Sequence, residues 1–274
     1  MKKLIFLLAL ILFAVASCKE KKPASYTRLG YFTPYQSFME KLNGKVESIV
    51  EVGYWGIPEG DSFIKGTKVT KHEFDSIGWT YDYKAFFDID GDLVSCSVID
   101  ENDKVIFRWN MIKENNILAR AEYLSNDTVR RFIKITCDED RKPVLYEVFD
   151  AKTDTLLQKM KFEGSDLNDT TIMQSYNIKG EAGGKGLAIY NVQGLLTDAE
   201  SYSKDGSFFN GLIIKYNDRG FSSETTFLDK DKKVAGTNYF TYEYDEMGNW
   251  IRVVCRDIDK GITIISERVY TYFK

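Results

Sequence analysis

The feature that most restricts what this chain can fold into is a succession of short alternating runs, cut at intervals by turn residues. From Gly44 to the C-terminus, stretches rich in Val, Ile, Tyr, Phe and Thr are separated by clusters of Gly, Asp, Asn and Lys. In KVESIVEVGYW (Lys45 to Trp55), a period of two sets Val46, Val50, Val52 and Tyr54 on one face. In TVRRFIKITC (Thr128 to Cys137) it sets Val129, Ile133 and Ile135 together, with Arg130 and Lys134 opposite. A period of two marks half-buried strands, because a helical stripe repeats every three or four residues. KVTKHEFD (Lys68 to Asp75) reads as one more alternating run, and only YQSFMEKL (Tyr35 to Leu42) has the pattern of a short helix.

The turns form two interleaved series. Asp90-Gly91-Asp92, Glu114-Asn115-Asn116, Asp138-Glu139-Asp140-Arg141, Gln193-Gly194, Asp218-Arg219-Gly220 and Met247-Gly248-Asn249 recur roughly 24 to 29 residues apart, with a missing member placed near Gly164-Ser165-Asp166. Between them lie Glu101-Asn102-Asp103, Ser125-Asn126-Asp127, Lys152-Thr153-Asp154, Lys204-Asp205-Gly206, Lys230-Asp231-Lys232 and Asp259-Lys260-Gly261. Two turns per period mean one hairpin per repeat. The expectation is an all-β chain of about fourteen antiparallel strands, a meander of repeated β-hairpins in a twisted, curved sheet rolled toward a barrel or spiral. Aromatics at 14% of the chain and only four prolines suit such a sheet.

Two resemblances add to this reading. Lys2 and Lys3 precede the apolar run Leu4 to Ala16, which is too short to span a bilayer, and Val15-Ala16-Ser17-Cys18 follows. This segment resembles the signal peptide and lipobox of bacterial lipoproteins. The resemblance implies removal of residues 1–17 and acylation of Cys18, with several acyl chains making the anchor stable. It also divides the chain into a tether and lead-in, 18–41, and a hairpin-repeat domain, 42–274. Lys19 stands where an aspartate would favour the inner membrane, so the resemblance points to the outer membrane, facing the periplasm or the cell surface.

Within the domain, Tyr216-Asn217-Asp218-Arg219-Gly220-Phe221 and Tyr244-Asp245-Glu246-Met247-Gly248-Asn249-Trp250-Ile251-Arg252 resemble the YD-type repeat of RHS proteins. Phe87 to Leu93 and Tyr190 to Leu195 are weaker copies. Cys137 to Arg141 and residues 151–186 depart from the pattern.

Chemistry is harder to find. Asp88-Ile89-Asp90-Gly91-Asp92 begins like a calcium loop, but the sixth and twelfth positions are Leu93 and Ile99 where Gly and Glu are required. Lys179 to Gly186 (KGEAGGKG) lacks the first Gly and final Ser/Thr of a phosphate loop and reads as a flexible hairpin loop. One histidine, His72, builds no zinc site. Cys96, Cys137 and Cys255 alternate in phase with apolar neighbours and read as buried free thiols, with one disulfide as the alternative. Trp55, Trp79, Trp109 and Trp250 fit cross-strand packing better than a sugar platform. A net charge of −4 gives no basic field for nucleic acid.

No catalytic residue, cofactor site or metal site is assigned, and Cys18 is the one residue given a definite chemical role. The expected function is a lipid-anchored, non-enzymatic interaction or scaffold module of the envelope. Its partners are the membrane, through the anchor, and an envelope protein or glycan. The alternatives are a carbohydrate-binding accessory module and a carboxylate-based glycan hydrolase.

Overall fold

A computed structural model describes residues 42–77, 82–139, 143–165 and 170–274. In chain order the elements begin with β1 (Val46–Glu59), β2 (Ser62–Lys68), α1 (Lys71–Ile77), β3 (Tyr83–Phe87), β4 (Leu93–Ile99) and β5 (Val105–Glu114). There follow β6 (Ile117–Ser125), β7 (Thr128–Cys137), β8 (Pro143–Asp150), β9 (Thr155–Ser165), β10 (Thr170–Tyr176) and β11 (Ala182–Tyr190). The last are β12 (Leu196–Tyr202), β13 (Phe208–Tyr216), β14 (Ser222–Leu228), β15 (Val234–Tyr244), β16 (Trp250–Asp257) and β17 (Ile262–Tyr272).

From β3 to β17 every strand pairs antiparallel with the next. The ring closes because β1 pairs with β3 along one edge and with β17 along the other. The meander is therefore a closed 16-strand barrel, with β2 sharing an edge of β1 with β3. Closure removes the open edges that a curved sheet would leave. The seventeen strand segments exceed the fourteen expected. The turn Asn177 to Glu181, which overlaps the hairpin loop expected at Lys179 to Gly186, adds a hairpin inside the stretch where the sequence spacing becomes irregular. The rest of KGEAGGKG is the start of β11 and not a loop.

Eight turns share one geometry. At Asp88, Asp100, Asn177, Asn191, Ser203, Asn217, Asp229 and Asp245, the N–H of the first residue donates to the carbonyl four residues on, and its carbonyl accepts from the N–H three residues on. The fourth residue has a positive φ, as at Gly91, Gly194, Gly220 and Gly248. Each turn is preceded by a register shift, for example Lys215/Tyr216 and Glu243/Tyr244. This is a type I turn closed by a G1 bulge. The leading Asp or Asn locks it by accepting further N–H groups, as Asn217 Oδ1 does from Arg219 and Phe221. The pairs Asn115-Asn116 and Asn126-Asp127, all at positive φ, make two-residue type I′ turns instead.

Rows of direct partners can be followed around the ring. Ile49, Ala85 and Cys96 form one row, Ala121, Ile133 and Val148 another, and Ile135, Tyr146 and Met160 a third. These belong to one apolar cluster of mostly buried side chains, which marks the inward face. The rows on the opposite face carry charge: Lys134, Glu147 and Lys159; Lys215 and Glu224; Glu243, Arg252 and Glu267. The three cysteines among the described residues form no disulfide, with Cys96 and Cys255 buried and Cys137 partly so.

Two readings of the sequence require correction. A bulge between Val46 and Ser48 switches the face of β1, so Ile49, Glu51, Gly53 and Trp55 point inward, and Val50, Val52 and Tyr54 outward. Residues 71–77 form α1 and not a strand. Thr70 caps it: Thr70 N–H donates to Glu73 Oε2 at 2.7 Å and Glu73 N–H to Thr70 Oγ1 at 3.3 Å, a capping box. The helix drives Phe74 against Gly53, where an added Cβ would lie 2.7 Å from the ring. Of the expected helix 35–42, only Leu42 lies within the described residues, and it is not helical.

The turn geometry predicts the effect of substitutions at Gly248, whose φ is +86°. Gly248→Val should lower the unfolding free energy by about 2 kcal/mol or more, and Gly248→Asn by clearly less. Urea denaturation followed by circular dichroism measures both; equal costs would refute the left-handed requirement.

Candidate functional site

A cluster of buried charged and polar side chains enters the interior at the seam where the first and last strands meet. Arg268 on β17 is the direct partner of Glu51 on β1, which in turn faces Tyr83 on β3. Arg268 Nε donates to Glu51 Oε2 at 2.8 Å, and one terminal NH₂ donates to the Tyr83 hydroxyl at 2.9 Å. Tyr83 completes the triangle by donating to Glu51 Oε2 at 2.6 Å. The guanidinium lies 3.6 Å from the ring centroid of Trp250, a close cation–π contact. The Arg268 and Glu51 side chains are only 4% and 13% exposed. Burial raises the cost of the charges, and the dense hydrogen bonding offsets it.

One layer along the seam, Asp82 enters β3 after α1. Its Oδ1 accepts the Gly53 N–H at 2.7 Å, supplying the bond that a continuous β3 would have made. Its Oδ2 lies 3.4 Å from Lys68 Nζ, which also donates to the Glu101 carbonyl at 3.1 Å. Burial pushes the Asp82 carboxyl up to about 6, against the downward pull of the Gly53 N–H and of Lys68. Trp55, beside it, donates its indole N–H to Glu73 at 3.2 Å and so ties α1 to the wall.

At the rim where the described chain begins, the repeated turn geometry carries a different specialisation. Asn249, 1% exposed, accepts the Asn43 N–H at 2.7 Å and donates to the Asn43 carbonyl at 2.8 Å. Its amide thus replaces a neighbouring backbone and holds the incoming chain. The same amide donates to the Tyr272 hydroxyl, which donates to Asp245. Tyrosines finish the rim in a repeated way. Tyr216, Tyr242 and Tyr270 donate to the carbonyls of Leu196, Ser222 and Trp250, each the first residue of a strand beside a bulge.

The other sequence candidates resolve into structure. Lys113 Nζ sits 2.7 Å from Asp88 Oδ2 and also contacts Asp92, so a lysine occupies the position between these carboxylates that a cation would take. Among the described residues, no group of three or more His, Cys, Asp or Glu is arranged for a metal. His72 is exposed on α1. Trp55, Trp109 and Trp250 all pack in the barrel, Trp109 against Tyr123 at 5.3 Å. Cys18 and Trp79 lie outside the described residues. The seam cluster escaped the sequence reading because Glu51 and Arg268 are 217 residues apart. The capping box in TKHE did signal α1.

Known proteins add little. No family model and no curated protein matches the chain. Among solved structures, it is similar to a porin-like protein from Bacteroides vulgatus, at 10% identity and a TM-score of 0.39, over 83% of this chain and 98% of that one. A porin-like protein from Bacteroides uniformis aligns with 8% identity and a TM-score of 0.39, over 84% and 98%. A LolA superfamily protein from Nitrosomonas europaea aligns with 9% identity and a TM-score of 0.26, over 86% and 90%. Scores this low carry no functional argument, and the barrel rests on its own strand pairing.

Two outcomes are expected at the seam. Arg268→Ala and Glu51→Ala should each cost about 3–5 kcal/mol, because each strands a buried partner, while Glu51→Leu/Arg268→Met should cost less than either; equilibrium unfolding decides. Asp82 has a raised folded-state value, so its stabilising effect is full below the ordinary carboxylate range and is lost as pH rises to about 6. Asp82→Asn, which keeps an acceptor for Gly53, should remove about 3 kcal/mol of pH dependence between roughly pH 4 and 6.5. Unfolding curves at three pH values check this, and parallel wild-type and variant profiles would refute it.

Proposed function

We propose that the protein is a lipid-anchored barrel that stands in water beside the membrane and serves the cell envelope as a non-enzymatic interaction or scaffold module. The observation that carries this reading is the outward face. A barrel that spans a bilayer needs an apolar outer band, and a charge at its midplane costs about 2–4 kcal/mol. Here outward positions form ion pairs instead, mid-strand at Glu147–Lys159 (2.7 Å) and nearer the strand ends at Lys215–Glu224 (2.8 Å) and Glu243–Arg252. Such a wall favours water, and membrane attachment then falls to acylated Cys18 through the tether 18–41. Outer-membrane attachment, facing the periplasm or the surface, follows from Lys19.

The repeat unit supports a scaffold. Its Tyr, Asx and Gly are accounted for by turn and rim packing, as in Tyr244 to Arg252. The carboxylates of the seam are likewise committed to structure, Glu51 to Arg268 and Tyr83, and Asp82 to Gly53 and Lys68. That weighs against the hydrolase alternative, which needs two carboxyl groups open to a sugar.

Cys18→Ala tests both halves of the proposal. The variant should lose acyl labelling and appear in the soluble fraction, folded without detergent. Persistence in the membrane pellet after an alkaline wash would refute the water-facing wall, and persistent labelling would refute the anchor.

A further inference from the structure

The outward face is uneven in charge. On β7 to β11 it carries Arg130, Lys134, Lys161 and Lys185, all exposed and none in an ion pair among the described residues. The nearby carboxylates Glu122 and Glu147 are already neutralised, by Arg120 at 2.8 Å and Lys159 at 2.7 Å, leaving Glu163 as the one exposed acid of β9. A local positive surplus on a chain of net charge −4 is a directional feature.

Rings are interleaved with these cations. Lys134 Nζ lies 4.6 Å from the Phe149 centroid, and Phe149 stacks on Phe132 at 5.0 Å and 7°. Lys161 Nζ lies 5.5 Å from the Tyr176 centroid. Lys161, Gln174, Lys185 and Tyr202 are successive direct partners across β9 to β12. Lys134, Lys161 and Lys185 thus occupy alternate strands, so each step across the wall is about 10 Å. Sheet pairing fixes this spacing on a rigid surface.

We propose that this belt is a docking surface for an acidic polysaccharide. A uronate-bearing glycan offers carboxylates at intervals along a stiff chain, with C–H faces between them that lie against aromatic rings. Alternate lysines meet the carboxylates, and Phe149, Tyr176 and Tyr202 meet the sugar faces. A nucleic acid fits less well, since its dense phosphates require many more cations than the belt supplies. The inference rests on the envelope reading, which brings the wall into contact with glycans, and it deepens that reading by naming the chemistry of the partner.

The full-length protein in mild detergent is run through native gels containing polygalacturonate, with dextran as the neutral control. Polygalacturonate should retard it, and dextran should not. Lys134→Glu/Lys161→Glu/Lys185→Glu should weaken retardation by about tenfold or more. Lys230→Glu/Lys233→Glu/Lys260→Glu, an equal charge change at the turns between β14 and β17, should leave it unchanged. Both triple variants are exposed substitutions expected to keep the wild-type melting curve; should the belt Glu triple unfold, the corresponding Gln triple takes its place. Absence of retardation, equal loss in the two triples, or tighter binding to DNA or to phosphatidylglycerol vesicles would overturn the proposal. None of those results would touch the anchor, which Cys18→Ala tests by acylation and fractionation.

Discussion

Everything in this molecule depends on the pairing of β1 with β17. Without it the meander is an open sheet with two unpaired edges. With it, Val46 to Trp55 are zipped to Tyr272 to Ile264 and no free edge remains in the ring. The pairing joins segments more than 200 residues apart, so chain entropy opposes it strongly until many neighbouring contacts exist. The Arg268, Glu51 and Tyr83 network lies at this closure. A buried ion pair is a weak source of net stability, but it penalises a slipped register heavily, because a one-residue shift turns one strand's charge outward and leaves its buried partner unpaired. We regard register at the seam as the physical task of this network.

The same two-residue period that seals the interior decides where the barrel can live. Each inward Ile, Tyr or Met is flanked in sequence by residues facing outward, and on this chain those are frequently Lys, Arg or Glu. Sixteen strands are enough for a membrane pore, yet strand number is silent about solvent. Solvent is set by the outward rows. Some outward apolar positions are covered, as Val254 and Ile265 are on β16 and β17 at 9% and 0% exposed, while others, such as Val269 and Phe86, stay open at 69% and 46%. The β1–β2 ribbon reaches over that region, with Arg252 donating to the Phe63 carbonyl at 2.7 Å and Lys65 pairing with Glu267 at 2.7 Å. Covering the apolar strip with the chain's own hairpin is consistent with a wall facing water.

Much of the fold was legible in the sequence because it is local. Turn chemistry placed nearly every hairpin, since an Asx four residues before a bulged strand start is a complete short-range instruction. What failed was non-local or depended on a single residue. The bulge after Val46 inverted the face of β1, and no periodicity count detects one extra residue when both faces offer valines. Helix α1 was read as a strand because its eight-residue window is too short for either period to dominate, although Thr70 and Glu73 carried the cap signal. The turn at Asn177 to Glu181 lies at the start of KGEAGGKG, and the glycines after it disguise where the loop ends and β11 begins. The seam cluster was illegible in principle: an isolated Glu, Tyr and Arg among many look like surface residues until closure juxtaposes them.

Repetition also changes how a conspicuous motif should be read. In Tyr242 to Val253 the tyrosines, aspartate and glycine recur in other units and do in each the same rim and turn work. The informative residue is the one that departs. Where the preceding unit has Phe221, buried beside Tyr242 and Tyr244, this unit has Asn249. An amide is a poor substitute for a phenyl ring in a packed cluster, and it survives there because Asn43 and Tyr272 satisfy its hydrogen bonds. The exchange converts a packing position into a clamp on the segment that leads into β1. Asn249 thereby ties Asn43, at the entry to β1, to Tyr272 on β17. That strand also holds the seam, so the entry of the chain and the closure of the ring are secured by the same strand.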